Sequence, residues 1–361
     1  RAQRTLETPG VRFASARSEA EEVGRLSTGA PPRPPSSTRE ARSVVRVKRL
    51  FAKDSPPYVV MVATVLFLVI FGLVMVLSSS FVDSALGNDG NFFAVFIRQA
   101  SWVLIGVPLM LLLSRLPPIT IRRLAPTAFL VALILQGLVF TTLGVTSGGN
   151  RNWVSIAGFQ GQPSEILKVA LILWMAAILA DRLDYIGEWQ TLIRPLGIGV
   201  VMALGVVMAG GDLGTAGVMA LVVLGVVFLA GIRWQHLGTI LVGLGVLAAA
   251  AAVVTPSRVR RITTWFSGCG EEDYLTTCWQ TVHSTFALGS GGIFGVGLGN
   301  SRAKWSWLPE AETDFIFAIV GEELGLLGTT LVIVAFIVLA VTMAHLVRKN
   351  ADPFARLVTG G

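Results

Sequence analysis

A chain of 361 residues with 53% hydrophobic residues, only 14% charged residues and a mean hydropathy of +0.69 is more apolar than ordinary soluble domains. That excludes a soluble enzyme and points to an all-α polytopic membrane protein. The net charge of +7 does not mark a nucleic-acid partner, because residues 1–53 hold 12 Lys/Arg against 5 Glu and the remainder is balanced at 17 basic and 17 acidic residues.

Taken in chain order, residues 1–42 are rich in Arg, Glu, Ser, Pro and Gly, with PPRPPSS at 31–37, and lack the apolar residues needed for a core. Residues 1–57 are therefore expected to form a disordered basic tail. The first apolar run begins near residue 58, too late and too long for a secretory leader. Arg42, Arg46, Lys48, Arg49 and Lys53 precede it, which puts the tail in the cytoplasm by the positive-inside rule. Apolar runs near 58–80, 99–114, 124–143, 165–181, 193–209, 215–232, 236–254 and 315–347 approach the roughly 20 residues that cross a bilayer. About eight transmembrane helices are expected: seven within 58–254 and an eighth at 315–347, followed by a cytoplasmic end at 348–361. The inner loops then carry Arg115, Arg122, Arg123, Arg182, Arg194, Arg233, Arg348 and Lys349.

This topology leaves residues 255–314 as an extracytoplasmic loop, too long for a simple connector. Arg258, Arg260 and Arg261 lie on its outer side against the general charge rule. Cys269 and Cys278 face an oxidising compartment there and read as a disulfide, with a pair of free thiols as the alternative.

Four polar segments interrupt the apolar pattern. In GGNRNWVSIAGFQGQPSEILKVA (148–170), Pro163 suits the first position of a helix, with Gln162, Glu165 and Lys168 around its first turns. Capping and an intrahelical Glu165–Lys168 pair explain these residues without any function. In GGDLGT (210–215), Asp212 reads as a helix cap. GSGGIFGVGLGNS (289–301) resembles a phosphate-cradling glycine loop but lacks the flanking strand and helix, so a nucleotide site is rejected. WLPEAETDFIFAIVGEELG (307–325) concentrates five carboxylates. Thr313 or Asp314 is placed to cap the following helix, yet capping leaves Glu310, Glu312, Glu322 and Glu323 unexplained, and an acid at that outer position is placed to act as a base.

Together the last segment, the RNW…QPSEILK segment, the GGDLGT turn and WQTVHSTFALGSGGIFGVGLGNS with Lys304 resemble the SEDS family (shape, elongation, division and sporulation). Ala311 after Pro309-Glu310 is closer to its FtsW-like division members than to its RodA-like ones, and the basic tail is similar to that of actinobacterial members. Three departures stand out. Glu312 replaces a usual His, Gly211 replaces a usual Pro, and the last two of the family's ten spans do not follow Gly361, so a C-terminally truncated chain is expected.

The resemblance implies a peptidoglycan glycosyltransferase that polymerises lipid II at the septum of the bacterial plasma membrane during cell division. It implies Asp314 as catalytic base, and Arg151, Trp153, Gln162, Glu165, Lys168, Asp212, Arg258, Arg260, Arg261, Lys304 and Glu310 as substrate-binding residues. The three clustered arginines are expected to hold lipid pyrophosphate, or alternatively anionic lipid headgroups. No cofactor is specified; a divalent cation such as Mg2+ would suit the surplus carboxylates Glu310, Glu312, Glu322 and Glu323, although no spacing defines a metal site. The implied partners are a class B penicillin-binding protein (an FtsI-like transpeptidase), other division proteins through the tail, and lipid II. The competing readings are a lipid II flippase with Asp212, Glu165 and Lys168 on a polar path, and a scaffold that recruits division proteins.

Overall fold

A computed structural model describes residues 55–361 apart from 88–90, 157–158, 184–187, 254–255, 271–273, 277 and 306. The expected disordered tail, with the Arg42–Lys53 cluster, lies outside the described residues up to position 54. Eleven α-helices follow in order among the described residues: α1 (Pro56–Gly87), α2 (Ala94–Leu113), α3 (Pro118–Gly137), α4 (Pro163–Ala180), α5 (Trp189–Ala209), α6 (Leu213–Ala230), α7 (Trp234–Val253), α8 (Pro256–Ser267), α9 (Trp279–Ser290), α10 (Ile316–Lys349) and α11 (Pro353–Gly360).

The sequence dictates several of these boundaries. Prolines open α3, α4 and α11 at positions where the missing N–H has no helical partner to lose. Gly231 ends α6 in the left-handed conformation, at φ 88°. Eight helices overlie the eight expected apolar runs. Six of them, α1, α2, α3, α4, α6 and α10, are long and apolar enough to cross a membrane; α5 and α7 carry the shorter apolar stretches Arg194–Ala209 and Trp234–Ala250. The protein is a polytopic helical membrane protein, as its composition requires.

Three features were not expected from the sequence. First, the connection between α3 and α4 is a three-stranded antiparallel meander, β1 (Gly144–Ser147), β2 (Asn150–Ile156) and β3 (Phe159–Gly161). Ser147 pairs with Asn150 across Gly148-Gly149, both at positive φ, a two-residue hairpin turn that glycine permits. Second, the expected loop at 255–314 contains two short helices, α8 and α9. Third, α10 is broken at Gly325, whose φ of 65° and ψ of −158° are not helical.

Two packed regions result. The larger surrounds α4, which carries Leu167, Leu171 and Met175 into contact with α3, α5, α6 and α11. Small residues line these contacts, including Ala132, Ala170, Ala176, Ala203 and Ala216. They let helices approach closely where lipid offers no hydrophobic drive to associate. The smaller region joins α1, α9 and the start of α10 through Met75, Ala287, Leu308, Ala311, Ala318 and Ile319. It is this second region that fixes the acidic segment.

Candidate active site

Asp212 caps α6, but it does more than the sequence reading assigned to it. Its Oδ1 accepts the Thr215 N–H at 2.9 Å. Its Oδ2 accepts from Asn152 Nδ2 at 2.8 Å, Gln162 Nε2 at 3.1 Å and the Thr215 hydroxyl at 2.8 Å. Gln162, at the N-cap position of α4, therefore leaves that helix uncapped by its side chain and joins α4 to α6 instead. Burial pushes the Asp212 carboxyl up, but the Thr215 N–H, the Asn152 amide, the Thr215 hydroxyl and the charge of Lys168 outweigh it and hold the group below its ordinary value. Asn152 was missed as a site residue; its signal was the strand that positions it, opposite in pleat to Arg151 and Trp153.

Arg151 secures the base of the sheet, with its N–H on Gly210 O at 2.8 Å and its guanidinium on Thr141 O at 2.7 Å. Trp153 pairs with Val145 across the β1–β2 ladder. Lys168 meets Glu165 at 2.9 Å, the intrahelical pair expected from spacing. Arg258 on α8 donates to Gly211 O at 2.5 Å. A cavity of about 310 Å3 opens here, lined by Gly148, Asn150, Asp212, Leu213, Gly214, Arg258 and Arg261. Arg258, Arg261 and the GGDLGT turn thus share one concavity, and exposed Arg260 stands on the same helix.

Lys304 points elsewhere. The resemblance implied a substrate-binding role for it, but its amine is buried, donating to Gly299 O at 2.5 Å and Ser78 O at 3.3 Å and meeting Glu323 Oε1 at 3.4 Å. Glu323 also accepts from the Ser78 hydroxyl at 2.6 Å. Glu322 accepts from the Ser301 hydroxyl at 2.5 Å and from the N–H groups of Arg302 and Ala303 at 2.9 and 3.3 Å. Both carboxylates, offered by the sequence as metal ligands, are committed to holding residues 299–304 against α10. Among the described residues no group of three or more His, Cys, Asp or Glu side chains is arranged to hold a metal.

The glycine run has the same purpose. Where Gly325 breaks α10, the freed backbone pairs with residues 292–297: Val296 and Gly297 N–H donate to Glu322 and Glu323 O at 2.9 and 3.0 Å, and Leu326 and Leu327 N–H to Gly292 and Ile293 O at 2.9 and 3.3 Å. A Cβ at Gly295 would lie 2.1 Å from Glu323 O, and one at Gly325 2.4 Å from Gly295 N. Glycine is needed for backbone to touch backbone. Unsatisfied groups at that depth would otherwise be costly.

The acidic turn projects from this frame. Leu308 and Ala311 are buried beneath it, while Pro309, Glu310, Thr313 and Asp314 are exposed. Glu310 takes φ 57°, the one positive φ outside glycine among the described residues, and accepts the Thr313 hydroxyl at 2.8 Å. Phe315, not Thr313 or Asp314, occupies the N-cap position of α10, and no side chain caps it. The capping explanation for Asp314 therefore fails. Half-buried Glu312 has an interaction of its own. The Asp314 carboxylate is exposed and has no hydrogen bond or ion pair among the described residues. Trp307 enters the turn from an aromatic group: its carbonyl accepts the Trp279 indole N–H at 2.9 Å, and its ring lies near-parallel to Trp279 and His283. Cys278, bonded to Cys269 as expected, directly precedes Trp279.

These features define a polar site on a polytopic membrane bundle, and the chain matches a known family. A model described as "Cell cycle protein", for FtsW, RodA and SpoVE, matches residues 58–361, and the chain belongs to that family. It is 35% identical over 341 residues to the probable peptidoglycan glycosyltransferase FtsW of Mycobacterium tuberculosis, covering 94% of this chain and 64% of that protein. It is 37% identical over 291 residues to stage V sporulation protein E of Bacillus subtilis, covering 80% and 78%. The chain thus spans 64% of the length of its mycobacterial relative. Among solved structures it resembles a chain of a peptidoglycan synthase complex (TM-score 0.62, 23% identity, 81% of each chain) and RodA of Thermus thermophilus (TM-score 0.52, 23% identity, 81% and 78%). These likenesses show the fold.

Proposed function

We propose that this protein is a peptidoglycan glycosyltransferase that polymerises lipid II into glycan strands during septal wall synthesis. The observation that carries this reading is the contrast among its acids. Asp212, Glu322 and Glu323 are committed to the scaffold, whereas Asp314 is exposed on a turn held by that scaffold and by a strained Glu310. The names of the curated relatives supply the reaction class.

In this mechanism Asp314 removes the proton from the acceptor sugar's 4-hydroxyl. The oxygen attacks the anomeric carbon of the donor, that carbon inverts, and lipid pyrophosphate departs with the bonding electrons. Negative charge grows on the pyrophosphate. Arg258, Arg260 and Arg261 supply the compensating cations from α8, next to the cavity at Asp212. Asp212 lines that cavity and Gln162 holds it there; Arg151, Trp153, Glu165 and Lys168 are proposed to bind substrate from the neighbouring sheet and the start of α4, and Glu310 shapes the turn. A divalent cation such as Mg2+ would be carried chiefly by the substrate's phosphates, with Glu310 or Asp314 as the exposed carboxylates available to it. No step above depends on it. The proposed setting is the plasma membrane at the division septum, with the tail cytoplasmic and available to division proteins, and the proposed partner is a class B penicillin-binding protein.

The test is reconstitution of the protein with its transpeptidase partner in vesicles supplied with fluorescent lipid II. Glycan strands on electrophoresis are the expected product. Lipid II crossing the bilayer without strand formation would replace the polymerase with a flippase.

A further inference from the structure

The helix that carries the cavity's arginines has a second face that no part of the described protein covers. In α8, Val259, Ile262 and Phe266 follow one another at i, i+3 and i+7, with Trp265 beside them, and all four are exposed. The two aromatic rings are 78% and 77% exposed, unusual for adjacent large side chains on a charged helix of twelve residues. The buried side of α8 carries Thr264, and Arg258 reaches from the helix to Gly211 O. Arg261 lines the cavity beside Asp212.

Connectivity decides what covers the exposed stripe. α8 begins at Pro256, directly after α7, whose apolar stretch runs to Ala250, so its first turn starts at the edge of the apolar layer. An amphipathic helix with Val259, Ile262 and Phe266 on one side, Arg260 and Arg261 turned away from them, and Trp265 and Arg258 at the border matches the composition of helices lying in the headgroup region of a bilayer. Arginine stems reach toward lipid phosphates from such a position, and Trp prefers that depth.

We propose that α8 is an interfacial helix that lies in the outer headgroup layer, with Val259, Ile262, Trp265 and Phe266 against the acyl boundary and its arginines at phosphate level. The cavity it walls then opens at the depth where a lipid-linked pyrophosphate resides. That consequence rests on the proposed polymerase reading; the placement of α8 does not.

The experiment is photolabelling of the protein in nanodiscs with a phospholipid that carries a diazirine near its headgroup, followed by peptide mapping. No turnover is involved, so its failure is separate from any failure of the polymerase reading. Adducts on Val259, Ile262, Trp265 and Phe266, alongside those at the ends of α7, are expected, and they should persist when the transpeptidase partner is added. An unlabelled α8 with labelled α7 ends overturns the proposal. So does loss of the α8 adducts when the partner is added, which would make this face a protein contact.

Discussion

At the scale of single residues, the acids divide by what touches them. Asp212 accepts four hydrogen bonds from Asn152, Gln162 and Thr215. Losing its cap and its charge-assisted bonds by Asp212→Ala is expected to cost about 2–4 kcal/mol. Its carboxyl titrates below the ordinary 3.8 in the folded protein. A group so depressed contributes stability above its unfolded pKa and loses it as pH falls through the folded one. The stability advantage of wild type over Asp212→Asn should therefore be full above about pH 5 and shrink below about pH 4, as read by thermal unfolding in detergent; an advantage independent of pH would contradict this. Lys304 and Glu323 are buried together. Lys304→Met leaves a buried carboxylate without its cation, at a cost of about 3–5 kcal/mol, and adding Glu323→Gln should restore part of it. Strict additivity of the two losses would mean that the pair is not coupled.

At the scale of elements, α10 shows what sequence periodicity conveys and what it omits. Its apolar run announced a membrane helix, as did the runs of the other seven. Pro163 and Asp212 marked the starts of α4 and α6 by local chemistry alone, and the Glu165–Lys168 pair followed from spacing. The break at Gly325 left no such mark, because an isolated glycine in an apolar run also reads as ordinary helix. Its cause is the close approach of residues 292–297, nearly thirty positions earlier. Separation in sequence likewise hid the roles of Lys304, Glu322 and Glu323, since Ser78, which binds Glu323, lies 245 residues away. The β-hairpin was the more legible omission: Gly148-Gly149 between Ser147 and Asn150 is a turn signal that the apolar flanks obscured. Gly325→Ala is expected to destabilise by at least about 1–3 kcal/mol through its φ alone, with further loss from the contact at Gly295. Hydrogen exchange would locate the effect as faster exchange of Val296 and Gly297; an unchanged rate at both would argue against the pairing described here.

At the scale of the whole molecule, the two packed regions divide the work. The α4-centred bundle fixes the sheet, Asp212 and the arginine-walled cavity, while the α1–α9–α10 region fixes the acidic turn through Leu308, Ala311 and the buried carboxylates. The proposed polymerase would need both a place for pyrophosphate and a base, and the proposal draws the two from these separate scaffolds, on the outer side of the proposed topology. The central claim is that Asp314 is the reacting acid. It is tested most directly by the strand-forming rate of Asp314→Asn against wild type, each partner-bound and shown folded by an unchanged melting temperature. Loss of a positioned general base predicts a fall of about 10²–10⁴-fold. An undiminished rate in the folded variant would contradict the account and leave Asp314 as a surface residue.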